Sequence, residues 1–361
     1  MTLKQYQKYI CWVFIKNFIY ISSVFFFIVI LINFFEEIRF FEKYDIEIYY
    51  TIYLSFLNAP SLIFEIFPFI FLISVKFFYL QLEENKEMEI LNSNGLSRLK
   101  IISLLSLLSL AIGLILLLFF YSFSSKLKTN YLDIKNRFSN NNDYLAVVND
   151  RGLWIKEEVD DYLYIIHAEK FDKNLLRLIT ISEIDKYYNN KNTIFAQTAN
   201  IISKNWKLND VSILSKDGKK NKYKTIVHNS TFNGEIISNL FSNLNSLNIF
   251  ELHELSNNYS KIGYSNTEIK IHLNKIYSMP IFYIIMTVLG FIIINKLNNL
   301  NSKFFTILFG VFISVLVYYL NYFSGLLGNK GALPIYLSVW TPLIILFLIC
   351  NIGLIRINEN K

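Results

Sequence analysis

Five stretches of the chain carry no charged residue over lengths suited to a bilayer: Asn17 to Phe35, Ile101 to Ser125, Ile276 to Asn295, Phe304 to Asn329 and Gly331 to Ile355. A helix rises 1.5 Å per residue, so about 20 apolar residues cross the roughly 30 Å hydrocarbon core. A sixth stretch, Thr51 to Leu80, is interrupted by Glu65 and Lys76 but is otherwise as apolar. Six spanning helices are therefore expected. The composition, 53% hydrophobic and 17% charged against about a quarter charged in soluble proteins, excludes a purely soluble, disordered or fibrous chain.

Lys4, Lys8 and Lys16 precede the first run as they would in a signal peptide. The apolar stretch is too long for one, however, and Asn33-Phe34-Phe35-Glu36-Glu37 stands where small residues would mark cleavage. An uncleaved first span is expected. With the N-terminus inside, nine basic residues (Lys4, Lys8, Lys86, Arg98, Lys100, Lys296, Lys303, Arg356, Lys361) fall on the inner side and three (Arg39, Lys43, Lys330) on short outer loops. That asymmetry sets both termini in the cytoplasm. The net charge of +7 forms no stripe for nucleic acid. Cys11 and Cys350 both lie in apolar runs, which leaves no disulfide framework and no zinc cluster.

The organisation that follows is residues 1–125 with spans one to three, a large extracytoplasmic region at 126–275, and residues 276–361 with spans four to six. The middle region contains no proline. Its alternating segments, Leu163 to Phe171, Leu175 to Ile184, Thr193 to Ser203, Trp206 to Leu214 and Tyr223 to Phe232, are expected as half-buried strands, with Asp217-Gly218 turning between the last two. From about Leu247 to Gly263 the pattern returns to a helix, with Phe250 and Leu255 among its apolar positions.

All five prolines lie in or beside spans, and Pro60 and Pro68 fall together in the second. Ordinary kinks explain any one of them, because neighbours in a membrane bundle satisfy the freed carbonyls. Between that pair stands Glu65. An ionisable group inside a span must face a cavity or a partner, and the simpler expectation is a helix that starts later and leaves Glu65 near the outer interface. Lys76 is expected to snorkel to the inner surface.

Between spans two and three, residues 83–95 read as a short amphipathic helix on the cytoplasmic side. Met88 and Leu91 share a face, acids crowd its start, and Gly95 stands where a C-terminal cap belongs. A plain solvated connector is the alternative, although a connector need not repeat an apolar face. Enzyme signatures fail. His253-Glu254 has Asn257 where a zinc motif needs its second histidine, and Gly218-Lys219-Lys220 lacks the upstream glycine of a phosphate loop. No catalytic set and no metal site is found in the sequence.

Layout and residues together resemble the LptF/LptG permeases, which extract lipopolysaccharide from the inner membrane. Three spans, a large periplasmic domain and three further spans form that family's arrangement, so the resemblance covers essentially the whole chain. Glu36-Glu37-Ile38-Arg39 after the first span is similar to LptG-like members, and Pro60 with Pro68 repeats the family's spaced prolines. Lys86 to Leu91 followed by Gly95-Leu96-Ser97 resembles the family's coupling helix. Gly152-Leu153-Trp154, Gly331-Ala332-Leu333-Pro334 and Trp340-Thr341-Pro342 fall in the family's order. Met88 replaces the usual leucine after the coupling glutamate, while Asn33 and Phe40 stand where lysines occur.

The resemblance implies an α-helical membrane protein of six spans with a periplasmic all-β, jellyroll-like domain inserted between helices three and four. It implies a transporter permease subunit rather than an enzyme, in a Gram-negative inner membrane, with no cofactor on this chain and ATP on a partner. Implied partners are a paralogous LptF/LptG-type permease, a dimeric LptB-like ATPase, a single-span LptC-like protein and an LptA-like periplasmic bridge, with lipopolysaccharide as cargo. Arg39 and Lys43 are then expected to meet lipid phosphates. Glu87, Met88, Ile90, Leu91 and Gly95 are expected to couple to the ATPase, Glu87 by charge and Met88, Ile90 and Leu91 as an apolar plug. Spans one and five would form the lateral gate. The alternative from another class is a membrane-anchored sensor or scaffold with a ligand-binding outer domain. A lipoprotein-releasing or macrolide-type permease is disfavoured because its large domain follows the first span rather than the third.

Overall fold

The computed structural model describes residues 4–42, 47–138, 153–159, 162–172, 174–186, 190–234, 237, 243–261, 265–297 and 303–359. Six helices are long and apolar enough to cross a membrane. They are α1 (Gln5–Phe41), α2 (Ile48–Glu84), a third built from α4 (Arg98–Ile115), a π turn (Leu116–Phe120) and α5 (Tyr121–Phe138), and then α7 (Thr267–Leu297), α8 (Lys303–Asn329) and α9 (Ile335–Glu359). Between α2 and α4 lies the short α3 (Glu87–Ser93). Strands β1 (Leu153–Val159), β2 (Tyr162–Asp172), β3 (Leu175–Ile184), β4 (Asn190–Asn200), β5 (Asn205–Ser215) and β6 (Lys220–Asn229), followed by α6 (Ile249–Lys261), come between α5 and α7 in the chain. Two compact units result: Met1–Lys128 with Lys270–Lys361, and Thr129–Ile269.

In the helical unit α2 and α7 are the most enclosed spans, whereas α1, α8 and α9 turn most of their apolar surface outward. Burial of α2 comes from aromatic packing. Phe14 meets Phe78 edge-on at 6.2 Å and Phe18 lies 4.8 Å from Phe71, while Phe71 stacks on Tyr283 at 4.7 Å and Tyr79 lies 5.1 Å from Phe291. Small residues let the helices approach. A Cβ on Gly290 would lie 2.8 Å from the Leu72 carbonyl oxygen, and one on Gly113 would lie 2.8 Å from the Tyr283 ring. Beside Gly113, Ser109 and Thr287 join α4 to α7 through a buried hydroxyl pair at 2.8 Å.

Two sequence expectations about α2 are corrected. The helix begins at Ile48 and runs through both Pro60 and Pro68, so Glu65 stands in mid-helix rather than near its start, with its side chain on the surface of the unit. Lys76 does not reach out to a surface; it is buried, because α2 is enclosed by its neighbours along this stretch.

The other unit is built on an antiparallel sheet in which each strand pairs with its chain neighbours, in the order β1 to β6. Among the described strands this is a meander, without the Greek-key crossovers of a jellyroll. Nor is the unit all-β, since α6 belongs to it. Gly218, at φ 76°, closes the β5–β6 hairpin at the expected Asp217-Gly218 turn, and its N–H donates to the Ser215 carbonyl at 2.9 Å.

One line of positions crosses the sheet unpaired: Glu169, Leu178, Gln197, Asp210 and Lys224 are skipped while the pairs on either side keep register. Leu178 (φ 53°) and Asp210 (φ 51°) take left-handed conformations on it. A non-glycine residue rarely does so, and the effect is to shift the inward-facing set by one residue. Leu176 is buried before the crease and Ile179 and Ile181 after it; Trp206 and Leu208 are buried before it and Val211 after it. The crease keeps an apolar face inward along strands too long to hold one alternation.

Although β1 and β6 end the strand order, their side chains meet. Glu157 of β1 lies 3.3 Å from His228 Nε2 of β6 and accepts hydrogen bonds from Ser230 Oγ, the Thr231 backbone N–H and Thr231 Oγ1, each at 2.9 Å. The sheet is therefore curled edge to edge around its core, which includes Ile155, Ile166, Ile181, Ala199 and Trp206.

Candidate functional site

The segment joining α2 to α4 is fixed by backbone chemistry at both ends. At its start Lys86 takes a left-handed conformation (φ 57°), which breaks α2 and restarts the chain as α3. At its end Gly95 (φ 81°) permits a complete Schellman cap: its N–H donates to the Asn92 carbonyl at 3.0 Å, and the Leu96 N–H donates to the Leu91 carbonyl at 3.1 Å. Ser97 then caps α4 by accepting from the Lys100 N–H. Gly95 thus stands where the sequence places a cap.

Within α3 the residues singled out from sequence do not all face one way. Met88 is 6% exposed and anchors the helix to its own chain, whereas Ile90 is 58% exposed and Leu91 is half-buried. Glu87 opens the helix with both carboxylate oxygens engaged. Oε2 accepts from the Tyr9 hydroxyl of α1 at 2.7 Å, and Oε1 accepts from Asn85 Nδ2 at 3.1 Å. Nothing in the sequence separates Tyr9 from the neighbouring Tyr6, so its role is visible only in three dimensions. Beside this segment a cavity of about 640 Å³ opens between the first turns of α1, α4 and Ile284 of α7, lined by Tyr6, Ile10, Leu96, Leu99 and Leu107 among others.

At the far end of α1, Arg39 lies exposed in the last turn, where a cation complements the negative end of the helix dipole. Lys43 lies outside the described residues. Nearby Asn33 is buried. It accepts from Asn58 Nδ2 at 2.8 Å and donates to the Val29 carbonyl at 3.0 Å, and Asn58 in turn accepts from Lys128 Nζ. Among the described residues no group of three or more His, Cys, Asp or Glu is placed to hold a metal.

Six apolar helices with a separate antiparallel sheet domain, and a capped short helix between the second and third, define a multi-pass membrane protein. The family model for the lipopolysaccharide export system permease LptF/LptG matches residues 8–356, nearly the whole chain, and the protein belongs to that family. Its members are permease subunits rather than enzymes, and this chain is accordingly a multi-pass inner-membrane protein of lipopolysaccharide export. No curated protein gives a significant match.

Proposed function

We propose that the protein is one permease of an ATP-driven exporter, on the LptG-like side of the family. In this reading it pairs with a paralogous six-span chain and docks on a dimeric LptB-like cytoplasmic ATPase. It passes lipopolysaccharide through an LptC-like single-span protein to an LptA-like bridge. Both termini lie in the cytoplasm and the sheet domain in the periplasm. Arg39 and Lys43 meet the lipid phosphates by charge-assisted hydrogen bonds, spans one and five (α1 and α8) form the lateral gate, and the inner face of the sheet receives acyl chains.

The observation that carries this reading is α3 itself. A seven-residue helix is too short to hold its shape alone, yet this one is capped at its end, anchored by Met88 and left with Ile90 pointing outward. That is what a docking element requires: rigid attachment to the membrane unit and an exposed apolar tip. Glu87 supplies the charge for the partner, Ile90 and Leu91 the apolar contact, Met88 the attachment and Gly95 the stop. The test is Glu87→Ala in the full chain, tagged at its C-terminus. Recovery of the ATPase is expected to fall several-fold while the permease remains folded, and unchanged recovery and transport would overturn the coupling assignment.

A further inference from the structure

Tyr9, Val13 and Asn17 are spaced four residues apart on α1 and so form one stripe. The two ends of that stripe are bonded to opposite sides of the joint between α2 and α3. Asn17 Nδ2 donates to Gln81 Oε1 at 2.9 Å, before the joint, and the Tyr9 hydroxyl donates to Glu87 Oε2 at 2.7 Å, after it. Val13 between them is fully buried. The joint consists of Asn85, whose N–H still reaches back to the Gln81 carbonyl, and the left-handed Lys86. The first span is thus clamped across the one place where α3 can pivot against α2.

We infer that Tyr9 is a positioning residue that passes displacement of α3 directly to the first span. This inference rests on the docking reading given above. Hydrogen-bond capacity sets the sense of the effect. A carboxylate accepts about four hydrogen bonds, and among the described residues Glu87 accepts from Tyr9 and Asn85. Each oxygen therefore retains capacity for a cation on the partner, so Tyr9 and the partner do not compete for Glu87. A pull on Glu87 is a pull on Tyr9, and through it on α1. The Asn17 bond holds α1 to α2 at the same time, so movement of α3 bends the inner end of α1 rather than sliding the whole helix.

The experiment compares Tyr9→Phe, Glu87→Gln and the double variant in the full chain, each purified with its co-expressed partner subunits and placed in proteoliposomes loaded with lipopolysaccharide. ATP hydrolysed per lipid released is measured alongside ATPase recovery. Tyr9→Phe is expected to leave recovery within twofold of wild type and to raise the ATP used per lipid at least several-fold. In the Glu87→Gln background the further effect is expected to stay under twofold, because both changes weaken one bond. A merely structural tyrosine would lower recovery and leave the ratio alone, which would overturn the assignment, as would multiplicative effects or a wild-type ratio in Tyr9→Phe. Absence of any ATPase from the wild-type preparation would instead overturn the docking reading itself, and this inference with it.

Discussion

A carboxylate as enclosed as that of Glu157, 3% exposed, persists in a folded protein only where its charge is met by donors. Burial pushes its pKa up, but the bonds from His228, the Thr231 backbone, Ser230 and the Thr231 hydroxyl outweigh that effect and hold it below the ordinary value of 4.5. Because the folded-state value is the lower one, the cluster stabilises the sheet domain fully above the ordinary carboxylate range. That contribution is lost as pH falls through the range and past the depressed value. Hydrogen exchange of the full chain in detergent should show β1 and β6 losing protection below about pH 4.5 before the middle strands do. At neutral pH Glu157→Ala should cost about 3 kcal/mol, since it leaves buried donors unpaired. Uniform loss of protection across all strands would contradict an edge-to-edge closure. The sequence carries no signal that joins His228 to Glu157, which lie 71 residues apart. One inward carboxylate after Leu153 and Ile155 breaks the apolar alternation that marks a strand, which is why β1 escapes a reading by pattern.

The other strands were legible because each keeps its alternation for at least four residues on one side of the crease. Their ends, such as those of β4 three residues earlier than the pattern suggests, were not. The crease is not legible in the sequence, since leucine rarely takes a positive φ and a lone aspartate, although enriched there, occurs far more often in ordinary conformations. Replacing Asp210 with glycine should therefore leave stability unchanged or raise it by up to about 1 kcal/mol, whereas valine there should cost at least that much, as thermal melts would show. In α6 the expected helix is present, but its apolar positions differ in burial. Leu255 is buried, as is Leu252, but Phe250 is 85% exposed. Its N–H is instead held, with that of Glu251, by the Asn248 side chain that caps the helix. For α3 the cap glycine was readable and its cost can be measured. A Cβ at Gly95 meets nothing within 4 Å, so Gly95→Ala carries only the conformational penalty of about 1 kcal/mol and should speed amide exchange at Gly95 and Leu96 without unfolding α2. Between α2 and α7, Gly290→Ala forces a methyl group against the Leu72 backbone and should lower the melting temperature in detergent. Gly310→Ala, which meets only the flexible end of Leu72 at 3.3 Å, should change it less.

At the scale of the molecule the six spans were readable because hydrocarbon imposes a length and a composition on any helix that crosses it. The enclosure of α2 and the outward apolar faces of α1, α8 and α9 were not, because hydropathy does not distinguish a face turned to lipid from one turned to another helix. Those outward faces suit a chain surrounded by lipid and, in the exporter proposed above, by a second permease, with α3 as the point of contact for the motor. The direct measurement is mass spectrometry, for protein and for lipid, of what co-purifies with the full chain tagged at its C-terminus and extracted in mild detergent. The expected result is a paralogous six-span chain, a small ATPase and lipopolysaccharide together. A solitary chain, or one bound to a kinase or receptor and free of lipopolysaccharide, would contradict the exporter account.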